Sequence, residues 1–208
     1  MTFLIKLYND IIEEYRTEFP RGTPLVCACE KGRKEDVEDI IRGARAAGMD
    51  VKAMVSKLGT DSDGDSGWTP LMVAASKELS DIVKILLDNN ADTATTDEGG
   101  ENALYTAWDN QTTTTIVRLL LNKMELKDIN HKDTSGRVPL DLYYDFNTSP
   151  IKQQLIDLIR QKGGKRASEL AEVEKINGIR LLPKEKLEKL YNTLNEKYKK
   201  EFPNGTAL

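Results

Sequence analysis

The side chains of this 208-residue chain whose types and spacing could do chemistry fall in a few short segments. Asp61-Ser62-Asp63-Gly64-Asp65 sets carboxylates at the first, third and fifth places of a would-be calcium loop, the oxygen-rich pattern that suits a hard cation. The sixth place holds Ser66 where the loop's sharp turn needs glycine, and the twelfth holds Met72 where a bidentate glutamate closes the shell. The segment therefore reads as a solvated acidic turn. His131, the single histidine, lies in Asp128-Ile129-Asn130-His131 with no second imidazole to complete a zinc pair. Gly163-Gly164-Lys165 lacks the earlier spaced glycine of a phosphate-binding loop. Cys27 and Cys29 stand two apart on an expected helix, point to different sides, and read as small buried thiols of a reducing compartment. Nothing assembles a nucleophile, a base and an oxyanion site, so the expectation is a non-enzyme with no cofactor and no metal.

The elements around these residues carry a stronger signal. Thirteen of the 22 residues from Leu187 to Leu208 repeat, without a gap and at an offset of 183, the residues from Leu4 to Leu25. Both copies place apolar side chains at helical spacing, Leu4, Leu7, Tyr8, Ile11, Tyr15 and Phe19 in the first and Leu187, Leu190, Tyr191, Leu194, Tyr198 and Phe202 in the second. Each copy closes on a Phe-Pro-x-Gly turn, so a helix and its exit were duplicated as one unit. Three readings stay open: the chain is one period of a longer tandem protein, the second helix docks head-to-tail where a neighbour's array begins, or it folds back as a private cap.

Net charge is −4, but it is divided. Residues 1–164 hold 20 basic and 27 acidic side chains, whereas residues 165–208 hold 10 basic and 7 acidic. An acidic body with a basic tail favours end-to-end attraction over nucleic-acid binding, within a screening length of about 8 Å at physiological salt. Lys197, Lys199 and Lys200 are interrupted by Glu196 and Glu201, and no strongly basic surface results. No apolar run is long enough to cross a membrane, and the N-terminal apolar stretch is too short for a signal peptide, so a cytoplasmic address is expected.

Between the copied helices a helix start followed by an aliphatic run recurs. The starts are Gly22-Thr23-Pro24-Leu25, Trp68-Thr69-Pro70-Leu71, Glu101-Asn102-Ala103-Leu104 and Arg137-Val138-Pro139-Leu140. The runs end in Ile40-Ile41, Leu86-Leu87, Leu120-Leu121 and Leu158-Ile159. Threonine before Pro24 or Pro70 can cap the inner helix while proline fixes its first turn. Ala28, Ala74, Ala75 and Ala107 allow close approach of neighbours, and Tyr143 with Tyr144 breaks that rule in the last unit. The stretch from Gly48 to Gly67, which carries the extra length of the first spacing, reads as irregular.

This pattern resembles the ankyrin repeat, most clearly from Asp65 to Asp97, with 33 residues from Leu71 to Leu104. The resemblance implies an all-α, ankyrin-like helical solenoid of four repeats over residues 22–164, preceded by an N-terminal helix (1–21) and followed by a C-terminal helical extension (165–208). It also implies protein binding through loop tips and the concave, inner-helix face. At the matching positions stand Asp65, Ser66, Trp68 and Lys77, then Glu98, Glu101 and Asp109, then Arg137 and Phe146. The expected function is a structural protein-binding scaffold joined to the next module or subunit through Leu187, Leu190, Tyr191, Leu194, Tyr198 and Phe202. The rival is an adaptor that binds a different protein on its concave face.

Overall fold

In the computed structural model, residues 2–60, 66–108, 114–145, 151–180 and 182–201 are described. They form two compact units, residues 1–167 and 168–208.

The first unit opens with α1 (Thr2–Glu18), which ends at the Phe19-Pro20 turn where the Gly22 amide donates to the Phe19 carbonyl over 3.0 Å. Then come the inner helix α2 (Pro24–Glu30) and the outer helix α3 (Lys34–Ala46). After α4 (Val51–Ser56) and a short antiparallel ribbon of β1 (Gly59–Thr60) and β2 (Ser66–Trp68), the pair α5 (Pro70–Ser76) and α6 (Ser80–Asp88) repeats the arrangement. It recurs in α7 (Ala103–Thr106) with α8 (Thr114–Leu121) and, beyond the short α9 (Leu126–Ile129), in α10 (Pro139–Asp145) with α11 (Lys152–Gln161). Inner helices α2, α5, α7 and α10 stack in that order, and α3, α6, α8 and α11 stack behind them. The second unit is built on α12 (Ala167–Arg180) and α13 (Lys184–Glu201).

The core lies between the two layers. Val37, Ile40 and Ile41, Val83, Leu86 and Leu87, Val117, Leu120 and Leu121, and Leu155, Leu158 and Ile159 are all buried, as are Ala28, Ala74, Ala75 and Ala107. A layer of this kind buries its face only against its neighbours, so stability comes from stacking. Polar links hold successive layers in register. The buried Asn102 accepts from the Leu104 amide (3.1 Å), which caps α7, and donates to the Asp128 carbonyl (2.9 Å). Thr106 donates to the Met72 carbonyl at 3.2 Å.

The structure departs from expectation at three places. The stretch from Gly48 to Gly67 is not wholly irregular: Asp50 caps α4 by accepting from the Ala53 amide (3.0 Å), Val55 is buried as its anchor, and β1 pairs with β2. The Asp61–Asp65 segment lies outside the described residues. Thr69 caps α5 through its hydroxyl, which accepts from Met72 N (3.2 Å), but Thr23 does not cap α2. Its hydroxyl accepts instead from the Thr60 amide (2.9 Å), because β1 lies so close that a Cβ on Gly59 would meet Thr23 Oγ1 at 2.7 Å. Tyr143 breaks the small-residue rule without opening the stack. It is fully buried within the stack and its hydroxyl donates to the Leu104 carbonyl (3.3 Å), while Tyr144 lies under the guanidinium groups of Arg160 and Arg166.

Candidate functional site

The helix that precedes the array has a defined seat on α3. Ile11 and Tyr15, one helical turn apart, are its buried side chains. The Tyr15 hydroxyl donates to Asp36 Oδ2 over 2.7 Å. Burial, reinforced by that carboxylate, holds the phenol well above its ordinary pKa, so it stays a donor at any physiological pH. Arg33 donates through both terminal nitrogens to the two oxygens of Glu18, at 2.9 and 2.8 Å, and its guanidinium carbon lies 5.3 Å from the Tyr15 ring centroid. Both partners of this ion pair are more than a third exposed, so it orients the helices more than it stabilises them. At the far end α1 crosses α3 against bare backbone: a Cβ on Gly43 would stand 2.3 Å from Tyr8 Cβ.

The other outer helices lack this seat. Aligned on Val37, Val83, Val117 and Leu155, the place of Arg33 is taken by Leu79, Thr113 and Ile151, that of Asp36 by Ile82, Ile116 and Gln154, and that of Gly43 by Asn89, Lys123 and Gln161. Ile82 and Ile116 are buried within the stack. A carboxylate at the same register on α3 therefore marks a layer that meets something other than another outer helix. Aligning the four aliphatic runs would have exposed Arg33, Asp36 and Gly43 from sequence; reading each run alone does not.

The duplicated helix keeps the α1 side of this contact. Tyr8, Tyr15 and Glu18 recur as Tyr191, Tyr198 and Glu201, Leu4 recurs as Leu187, and Ile11 is replaced by Leu194. Leu187 and Leu190 are half-buried, Tyr191 is exposed, and Leu194 is 58% exposed where Ile11 is covered. Nothing is described of the Tyr198 side chain, and Phe202 lies outside the described residues.

The loop-tip residues fall into two groups. The tips after the second and third repeats share one hydrogen-bonded turn: Asp97 N donates to the Glu101 carbonyl (3.1 Å), as Asp133 N does to that of Arg137 (2.8 Å). The two turns are joined by Thr134 N donating to the Gly99 carbonyl (2.9 Å), and a Cβ placed on Gly67 would lie 4.0 Å from Glu98 Cγ. Glu98, Glu101 and Arg137 are thus brought into one row, with Trp68, 37% exposed, at the end of β2. Arg137 is already engaged, donating from Nε to the buried Asp133 (2.8 Å) and lying 3.4 Å from Glu101. Lys77 sits apart, exposed at the C-terminus of α5. The Ser66 side chain, Asp109 and Phe146 are not described, and Asp65 lies in the segment already set aside.

The sites weighed for catalysis stay dispersed. The His131 carbonyl accepts from the Tyr105 hydroxyl (2.6 Å), which makes this residue part of the inter-layer framework. Cys27 and Cys29 are buried, and burial pushes the Cys29 thiol up, away from the nucleophilic form. Among the described residues no helix is long and apolar enough to cross a membrane.

Residues 43–133 match the family model described as ankyrin repeats (3 copies). No curated protein matches the chain.

Proposed function

We propose that this chain is a non-catalytic protein-binding scaffold that joins head-to-tail, through α13, to an ankyrin-like layer of the next subunit or module, a reading supported by the match of residues 43–133 to ankyrin repeats, a protein–protein interaction module. In this reading the helix pairs α2 with α3 and α10 with α11 are the outermost of four repeats. The observation that carries the reading is the pairing of α1 with α3. Tyr8, Tyr15 and Glu18 of that contact recur on α13, in order and at the same spacing, and Leu194, which replaces Ile11, is exposed there. A helix that keeps an interface pattern keeps the option of the interface.

The test is the mass of the full chain in solution over a range of concentrations, beside Leu194→Asp. A mass that rises with concentration in the wild type and stays monomeric in the variant supports joining through α13. A mass that is constant in both, or rises equally in both, overturns joining between copies of this chain through α13. A second reading, an adaptor that holds a different protein along the row from Trp68 through Glu98 and Glu101, is favoured by the exposed indole at that edge, since aromatic anchors dominate interface energies. Constant mass in both chains is the outcome it requires.

A further inference from the structure

The face of α3 that carries Arg33, Asp36 and Gly43 is matched twice by this chain, once by α1, which covers it, and once by α13. We infer that this face is an exchangeable seat, whose second occupant is α13 of another copy of the chain, and that α1 is the plug that keeps it closed. The inference rests on the reading of α13 as a joining helix and adds where it docks and what restrains it.

Three observations point to α3 of a second copy. Arg33, Asp36 and Gly43 occur together on this outer helix alone of the four, so no other layer of the array offers the same partners. The polar residue types are conserved in the sequence: Tyr198 stands at the place of Tyr15, Glu201 at that of Glu18, and Tyr191 at that of Tyr8. Charge then separates the two occupants. From Leu4 to Glu18, α1 holds 2 basic and 4 acidic residues, whereas from Leu187 to Glu201 α13 holds 4 basic and 3 acidic. The face they share belongs to a helix with 3 basic and 4 acidic residues over Lys34–Ala46, within an acidic body. α13 therefore gives up apolar contact where Ile5 and Ile12 become Glu188 and Asn195, and gains attraction through Lys197 and Lys200, which replace Glu14 and Thr17.

The plug follows from tethering. A short turn connects α1 to α2, which holds α1 at the seat with an effective concentration on the order of millimolar. An α13 from another molecule must displace it, so exchange is held down until α1 lifts. Apparent affinity then rises with the fraction of open seats. This is the arrangement of a domain swap in which a copied element, not the original, makes the crossing.

The experiment compares sedimentation and light scattering of the full-length wild type, Ile11→Asp, and Ile11→Asp with Leu194→Asp, at low and at physiological salt. Ile11→Asp removes the buried anchor of α1, and association is expected at roughly tenfold lower concentration or better, weakened by salt and abolished by the added Leu194→Asp. Amide exchange over α5–α8 confirms that the array stays folded. Should Ile11→Asp unfold the array, Tyr15→Phe, which deletes one hydroxyl, must shift association in the same direction by a smaller factor. A folded array that associates no better than wild type overturns the seat, as does association that persists in the double variant. If wild-type association depends on Leu194 but is indifferent to Ile11 and Tyr15, α13 joins elsewhere: the seat falls and the joining role stands.

Discussion

The Tyr15 hydroxyl and the Asp36 carboxylate, 21 positions apart in the chain, meet over 2.7 Å and tie the helix before the array to the first outer helix. A phenol held protonated by burial and donating to a carboxylate is one of the stronger hydrogen-bond types. Partial exposure of Asp36 limits the loss when it is broken, because water can take the place of the donor. Tyr15→Phe is therefore expected to cost about 1 kcal/mol, a fall in Tm of roughly 2–4 °C, with amide exchange accelerated in α1 before the rest of the unit. An unchanged exchange rate in α1 would show that the hydroxyl does not hold the helix down.

Gly43 offers a test of sign. In the interior of a helix, alanine in place of glycine ordinarily adds about 0.5–1 kcal/mol of stability. Here the new methyl would meet Tyr8 Cβ at 2.3 Å and the Leu4 carbonyl at 3.0 Å, so α1 must shift or lift. Gly43→Ala should lower Tm rather than raise it, and should loosen α1 more than α3. A higher Tm would mean that α1 is not seated as closely as the Tyr8 contact requires.

Asp141 gathers the last layer. Its buried carboxylate accepts from the Val138 amide (3.2 Å), the Ala167 amide (3.2 Å) and Arg166 Nε (2.8 Å), which ties the start of α10 to the last residues of the first unit. Asp141→Ala strands two amides and takes one of its partners from the Arg166 guanidinium, and should cost on the order of 2–3 kcal/mol. Asp145→Ala removes only an exposed partner of Arg166, 3.0 Å away, and should change thermal stability by less than about 1 kcal/mol. Thermal melts of the two variants side by side check the contrast; equal losses would place the worth of the cluster in Arg166 and not in Asp141.

The repeats were legible because their signal is local. Thr69-Pro70, the small alanines and the paired aliphatics each act within a turn or two, and the helices lie where those residues place them. The departures come from contacts the sequence does not print in order. Thr23 gives its hydroxyl to Thr60, 37 positions away, and a cap predicted from the neighbouring proline is lost to a strand. Tyr143 reads as a misfit among alanines, yet its hydroxyl finds the Leu104 carbonyl 39 positions back and the ring becomes core. The candidate site was half legible. The duplication names the α1 side of the contact, whereas Arg33, Asp36 and Gly43 look ordinary until α1 is laid on them.

Glu101 supplies a pH dependence. Burial, then the nearby Asp97 carboxylate, raise its pKa above the ordinary glutamate value, against the opposing pull of Arg137. A raised folded-state pKa means that the folded chain binds this proton more tightly than the unfolded chain. The stability it contributes is whole below the ordinary glutamate pKa and is lost as pH rises through the raised one. Glu101→Gln keeps the shape and removes the charge. Since the side chain is partly solvated, the gain is expected to stay below about 1 kcal/mol, a rise of roughly 1–3 °C in Tm at pH 7. The difference should shrink as pH falls and vanish below the ordinary glutamate pKa, where both side chains are neutral. Melting curves of the two proteins across about pH 3–8, the range in which carboxylates titrate, decide the matter. A variant less stable at pH 7 would show that the 3.4 Å approach of Arg137 outweighs burial, and that this edge of the loop row is held by its ion pair.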